Sequence, residues 1–138
     1  MSWIYQGTVI EELPEDCVGF VYLITNTVSG RKYVGKKLAK FSKVKYKTIK
    51  QKNGKKKRKK IKYKINSDWQ DYYGSSDELL ADVAKLGKDK FTREVLHYCA
   101  SKALTSYLEA KEQFDNDVLL REDYYNGIIN LRVGKIKL

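Results

Sequence analysis

Hydrophobic and polar positions divide the chain into short segments of two different periods. Residues 19–26, GFVYLITN, are an unbroken apolar, β-branched and aromatic run, which predicts a buried strand. Val28-Ser29-Gly30 supplies turn chemistry, and residues 32–37, KYVGKK, read as a returning strand, so the two form a hairpin. Leu79, Leu80, Val83 and Leu86 recur at helical spacing. Ser75 and Glu78 before them have capping-box spacing, and Gly87 stands where a helix ends. Residues 91–99, FTREVLHYC, read as a third strand, and Ser101 caps a second helix running to about Phe114. The acidic lead, 1–18, is expected to add at most a short strand at the domain edge. The tail, 116–138, mixes turn signals with short apolar runs. No internal repeat is present. The order β-β-insert-α-β-α-tail predicts a single α+β domain over 1–138, with a small three-stranded antiparallel sheet flanked by helices.

Between the second strand and the first helix the pattern changes. Residues 43–64 carry 13 of the 28 Lys and Arg in the chain and no acid, so the remainder holds 15 basic against 17 acidic residues. The net charge of +11 therefore resides in one insertion, 43–65, on a near-neutral domain. Asn53-Gly54 favours a two-residue turn, which sets cross-strand partners to numbers summing to 107. That register places Val44 opposite Tyr63 and Tyr46 opposite Ile61, on one face with Thr48, and leaves the other face to lysine. The insertion is read as a basic β-hairpin lying on nucleic acid; the alternative is a solvated loop. Lys37, Lys45, Lys47, Lys55, Lys56, Lys57, Arg58, Lys59, Lys60 and Lys62 are its candidate phosphate contacts, since neutralised phosphates release condensed counterions.

Length and composition set further bounds. The 138 residues are 42% hydrophobic and 12% aromatic, with 11 Tyr, enough for a core without disulfides. Two cysteines, no signal-peptide pattern and no long apolar run point to a reduced, cytoplasmic protein. Cys17, His97 and Cys99 match no zinc spacing. Trp69 is assigned to the core, and Tyr72 and Tyr73 are assigned either to the core or to base stacking.

The first hairpin reads Phe20-Val21-Tyr22, ten residues, then Tyr33-Val34-Gly35. Residues 74–91, GSSDELLADVAKLGKDKF, then 93–96, REVL, follow it, with Glu109 on the next helix and Asn130 in the tail. This ordered set resembles the GIY-YIG endonucleases, in particular the phage homing and mobile-element members. The resemblance implies a metal-dependent endonuclease or nickase that hydrolyses DNA phosphodiesters, usually with Mg²⁺; the lysine-rich contacts, which carry little sequence information, imply low sequence specificity. It implies duplex DNA as the partner, with no membrane and no protein partner indicated. Tyr22 and Tyr33 correspond to the motif tyrosines, Lys36 to a lysine after the motif glycine, Glu109 to the metal-binding glutamate and Asn130 to the C-terminal asparagine. Lys43 falls where the family usually has arginine, and the family's frequent histidine falls near Gly74. A non-catalytic DNA- or RNA-binding protein on the same fold is the alternative; a ribonucleoprotein assembly factor is a third.

The chemistry fits those residue types. One carboxylate suffices for Mg²⁺, which keeps several waters. A phenol of pKa about 10 is about 0.1% ionised at pH 7. Lys36 or Lys37 beside Gly35 is expected to lower that value for Tyr22 or Tyr33. Glu112, at i+3 from Glu109, is the substitute carboxylate.

Overall fold

A computed structural model describes residues 2–138. Strands β1 (Trp3–Tyr5), β2 (Thr8–Val9), β3 (Gly19–Asn26), β4 (Lys32–Leu38), β5 (Lys40–Lys50) and β6 (Lys56–Asn66) precede helix α1 (Asp77–Leu86). Strand β7 (Phe91–Cys99) and helix α2 (Lys102–Asp115) follow. The α+β class is as expected, but the sheet has five strands in the order β2-β1-β7-β3-β4, not three. The three expected strands form its antiparallel part. The lead adds β1, which runs parallel to β7 and makes the sheet mixed. Trp3 explains the addition. It is buried, donates its indole N–H to the Trp69 carbonyl at 2.8 Å, and packs edge-on against Phe20 and Tyr22.

β3 is buried along almost its full length because both of its faces are covered. Phe20, Tyr22 and Ile24 face a core with Trp69, Tyr73, Leu79 and Val83, beneath α1. Val21 and Leu23 face a second core with Val34, Leu104 and Leu108, beneath α2. Direct pairing of Tyr22 with Gly35 and of Ile24 with Tyr33 puts both motif tyrosines on the α1 face.

Helix α1 begins one residue later than the capping box predicts. Ser76 is the N-cap, accepting from the Leu79 N–H at 3.3 Å. Ser75 and Glu78 have other partners: Ser75 pairs with the Tyr33 hydroxyl at 3.0 Å, and Glu78 with Arg31 at 2.6 Å. Gly87 ends the helix with φ of 96°. Ser101 caps α2.

The basic insertion is a hairpin, β5–β6, forming a two-stranded sheet of its own. Its register differs by one residue from the expected one: Lys43 opposes Tyr63, and Tyr46 opposes Lys60. The cause is the turn. The Gln51 N–H donates to the Lys55 carbonyl and the Gly54 N–H to the Gln51 carbonyl, so three residues make the loop, with Gly54 at φ 79°. A one-residue change in strand parity exchanges faces. Val44 and Tyr46 therefore lie on the face opposite Ile61 and Tyr63, and lysines occupy both faces.

Candidate active site

The outer edge of β4 organises the site. Even-numbered residues of β4 turn their backbone groups away from β3, and each meets a different clamp. The Lys32 N–H donates to the Asp123 carbonyl, and the Tyr125 N–H to the Lys32 carbonyl. At Val34, Asn126 accepts from the N–H at 3.1 Å and donates to the carbonyl at 2.8 Å, and Gln113 also donates to that carbonyl. At Lys36 the backbone N–H faces the Glu109 carboxylate. This alignment fixes β4, an edge strand whose backbone would otherwise be open to solvent.

On the α1 face of the same strand, the two motif tyrosines close over Gly35. Their ring centroids are 6.1 Å apart. A Cβ on Gly35 would collide with the Tyr22 hydroxyl and come within 2.8 Å of a Tyr33 ring carbon. Glycine is required here for space, not for backbone freedom. Tyr72 completes the cluster, its ring perpendicular to Tyr22 at 5.8 Å. The Lys37 ammonium lies 4.1 Å over the Tyr72 ring and pairs with Asp68 at 2.6 Å, with its side chain only 12% exposed. Asp68 is held below the ordinary carboxylate range, first by its hydrogen bond from Lys37.

Tyr22 is fully buried, with its hydroxyl against Gly35 and near Tyr72. Tyr33 is partly exposed and reaches an open cleft of about 390 Å³ lined by Ser75, Ser76, Tyr125 and Asn126. Both phenols are raised above their ordinary pKa, Tyr22 strongly. Burial is the first cause, and the charge of Glu109 adds to each. The expected lowering by lysine does not occur. Strand alternation sends Lys36 to the α2 face, where it donates to Ser106 at 2.7 Å, and Lys37 stacks on Tyr72. The phenols are therefore neutral hydrogen-bonding groups at neutral pH.

Glu109 comes from α2, which packs on the opposite face, and its carboxylate reaches the sheet edge at Lys36. One oxygen is 4.0 Å from the Lys36 ammonium. Burial raises its pKa; the Lys36 charge and backbone N–H oppose that rise only in part. Its charge adds to the rise of both tyrosines from across the strand.

A family profile described as "Putative endonuclease segE, GIY-YIG domain" matches residues 3–129. The chain belongs to the GIY-YIG endonuclease family. No curated protein and no solved structure matches it.

In this GIY-YIG domain the expected site residues fall into two groups. Tyr22 and Tyr33 lie together on the α1 face of β4, and Lys36 and Glu109 pair at its outer edge on the α2 side. Lys43 is exposed on the basic hairpin, opposite Tyr63, and Asn130 is exposed in the tail. Glu112 turns to His97, 2.7 Å away, and to Asn116. Cys17 and Cys99 are buried free thiols. Lys45, Lys47, Lys55, Lys56, Lys57, Arg58, Lys59, Lys60 and Lys62 are all exposed on the hairpin, whereas Lys37 is tucked into the tyrosine cluster. Sequence reading missed Asn126, which sits four residues before Asn130 and clamps the motif valine. It also left Tyr72 open and placed Lys37 on the nucleic-acid surface. Odd-numbered positions after Tyr33 share its face, so strand alternation was the signal for Lys37. Among the described residues no group of three or more His, Cys, Asp or Glu is arranged around a common point, and no helix is long and apolar enough to cross a membrane.

Proposed function

We propose that this GIY-YIG domain is a metal-dependent DNA endonuclease, cutting with low sequence specificity in the manner of a nickase. The observation that carries the reading is the closure of Tyr22 and Tyr33 over Gly35, with Glu109 held on the outer edge of the same strand at Lys36. Hydrolysis of a phosphodiester needs a positioned water and compensation for the charge that develops on phosphate.

Tyr33 is the phenol able to touch substrate, because its hydroxyl opens on the cleft with Ser75. As a neutral phenol it orients the attacking water or a phosphate oxygen by hydrogen bonding. Tyr22 is sealed beneath it and holds the Tyr33 and Tyr72 rings in place. Asn126 fixes the backbone between Tyr33 and Gly35, so it positions the motif tyrosine. Lys37 places a positive charge on the tyrosine face.

Glu109 fits a Mg²⁺ ligand. It is a single, largely buried carboxylate whose raised pKa marks incomplete compensation by Lys36, and Mg²⁺ takes few protein ligands. When bound, the ion supplies charge that polarises the phosphate and stabilises the departing oxygen. The exposed hairpin lysines bind backbone phosphates, which carries affinity but little sequence information.

Incubation with supercoiled plasmid tests the reading. Wild type is expected to nick it with Mg²⁺ and not in EDTA, and Tyr33→Phe to lose about tenfold or more of the rate. No conversion by wild type with any divalent ion, or equal conversion by Tyr33→Phe, overturns it. The exposed position of Lys43 favours a second reading, a non-catalytic DNA- or RNA-binding protein. Salt-sensitive binding without cleavage under every divalent metal selects that one.

A further inference from the structure

The basic hairpin has a shape that its composition alone does not convey. Strands β5 and β6 are 11 residues each, so the arm extends about 36 Å. One turn of B-form DNA rises about 34 Å. Nearly every residue of the arm is exposed, so the domain covers neither face.

The observed register puts cations on both faces. Lys45, Lys47 and Lys59 share one face, and Arg58, Lys60 and Lys62 share the other. No acidic residue stands in 40–66. A ribbon laid flat on one phosphate backbone would neutralise one face and leave the other facing solvent. A ribbon standing edge-on in a groove has a phosphate wall on each side. The major groove of B-form DNA, about 12 Å wide, admits a two-stranded ribbon, whereas the minor groove, about 6 Å wide, does not. The A-form RNA major groove is too deep and narrow for it. Each of the arm's two tyrosines carries a cation over one ring face: Arg58 lies 4.5 Å over Tyr46, and Lys45 lies 5.6 Å from Tyr63.

We infer that the β5–β6 arm enters the major groove of B-form duplex DNA edge-on, each cationic face meeting one phosphate wall. This deepens the endonuclease reading by naming the form of the substrate and how it is held, and it rests on DNA being the substrate. The arm thereby fixes the approach of the β4 site, because β5 continues from β4 through the single buried residue Ala39.

The test is binding of the full chain to a duplex in EDTA, where cleavage plays no part, so failure here is distinct from failure of the nuclease reading. Two triple variants are compared, K45Q/K47Q/K59Q and R58Q/K60Q/K62Q. Groove entry predicts that both weaken binding by a similar factor and that each lowers the slope of log affinity against log salt by about 2.7. It also predicts that duplexes with bulky C5 substituents on the pyrimidines, which fill the major groove, bind at least tenfold more weakly, and that a minor-groove ligand does not compete. Loss from one triple only would show flat, one-faced contact and overturn the inference. Indifference to the C5 substituents, or tighter binding to duplex RNA or single strands, would overturn it too.

Discussion

The hairpin of β3 and β4 is packed on both faces, whereas the hairpin of β5 and β6, which continues from it, is exposed along nearly its whole length. Both are antiparallel pairs, yet different forces set their registers. In the first, a one-residue slip would move Tyr22 and Ile24 out of one core and Val21 and Val34 out of the other, and would put a side chain where Gly35 now stands between two rings. Packing dictates that register. In the second, no core distinguishes one parity from another, and the three-residue loop at 52–54 decides alone. The comparison teaches why one hairpin carries a site that needs fixed geometry, while the other carries charge, which tolerates an approximate fit.

Substitutions of glycine separate the two most strongly. Gly35→Ala should cost about 3 kcal/mol in urea unfolding, from overpacking against Tyr22 and Tyr33, and should abolish cleavage. Gly54→Ala meets nothing within 4 Å, and its φ of 79° makes the cost one of backbone strain. It should cost about 1 kcal/mol, read as faster amide exchange within 40–66 only. Equal global effects of the two would dissolve the distinction. Replacing 40–66 by a short turn is the next smaller effect on folding. Ala39 and Ser67 already bridge the arm's base with a 3.0 Å hydrogen bond, so the melting temperature should move by only a few degrees while duplex affinity collapses.

The smallest effect is a pH dependence. Burial raises the Glu109 pKa in the folded state, so between an ordinary glutamate value of about 4.3 and the raised one the folded chain holds more protons than the unfolded chain. Stability in EDTA should therefore fall as pH rises through that window. Glu109→Gln should remove this component, and an unchanged pH profile for the variant would refute the assignment. The arm carries no acidic residue, so its excision should leave this component in place.

Strands β3, β4 and β7, the hairpin form of the arm and both helices were legible in the sequence because each rests on local periodicity or turn chemistry, and the close approach of the two motif tyrosines followed from their spacing. The parallel pairing of β1 with β7 was not. Trp3 and Arg93 are ninety residues apart, and a three-residue strand has no period to read. Register in the arm escaped because lysine is the commonest residue of both strands, so the few apolar residues suggested a shared face that nothing buries. Asn126 and Asn130 lie in a tail without regular structure, where only the contact with Val34 tells them apart. The acidity of the phenols went astray for a simpler reason. Lys36 is adjacent to Gly35 in sequence but on the opposite face of the sheet, so proximity along the strand gave the wrong sign.

The most direct test of a site at the rim of β4 is Glu109→Gln assayed for plasmid cleavage and duplex binding side by side. The predicted result is cleavage lowered at least a hundredfold, with duplex affinity and salt slope unchanged, since binding is assigned to the arm and catalysis to Glu109. Cleavage at the wild-type rate, or binding lost together with cleavage, would contradict it.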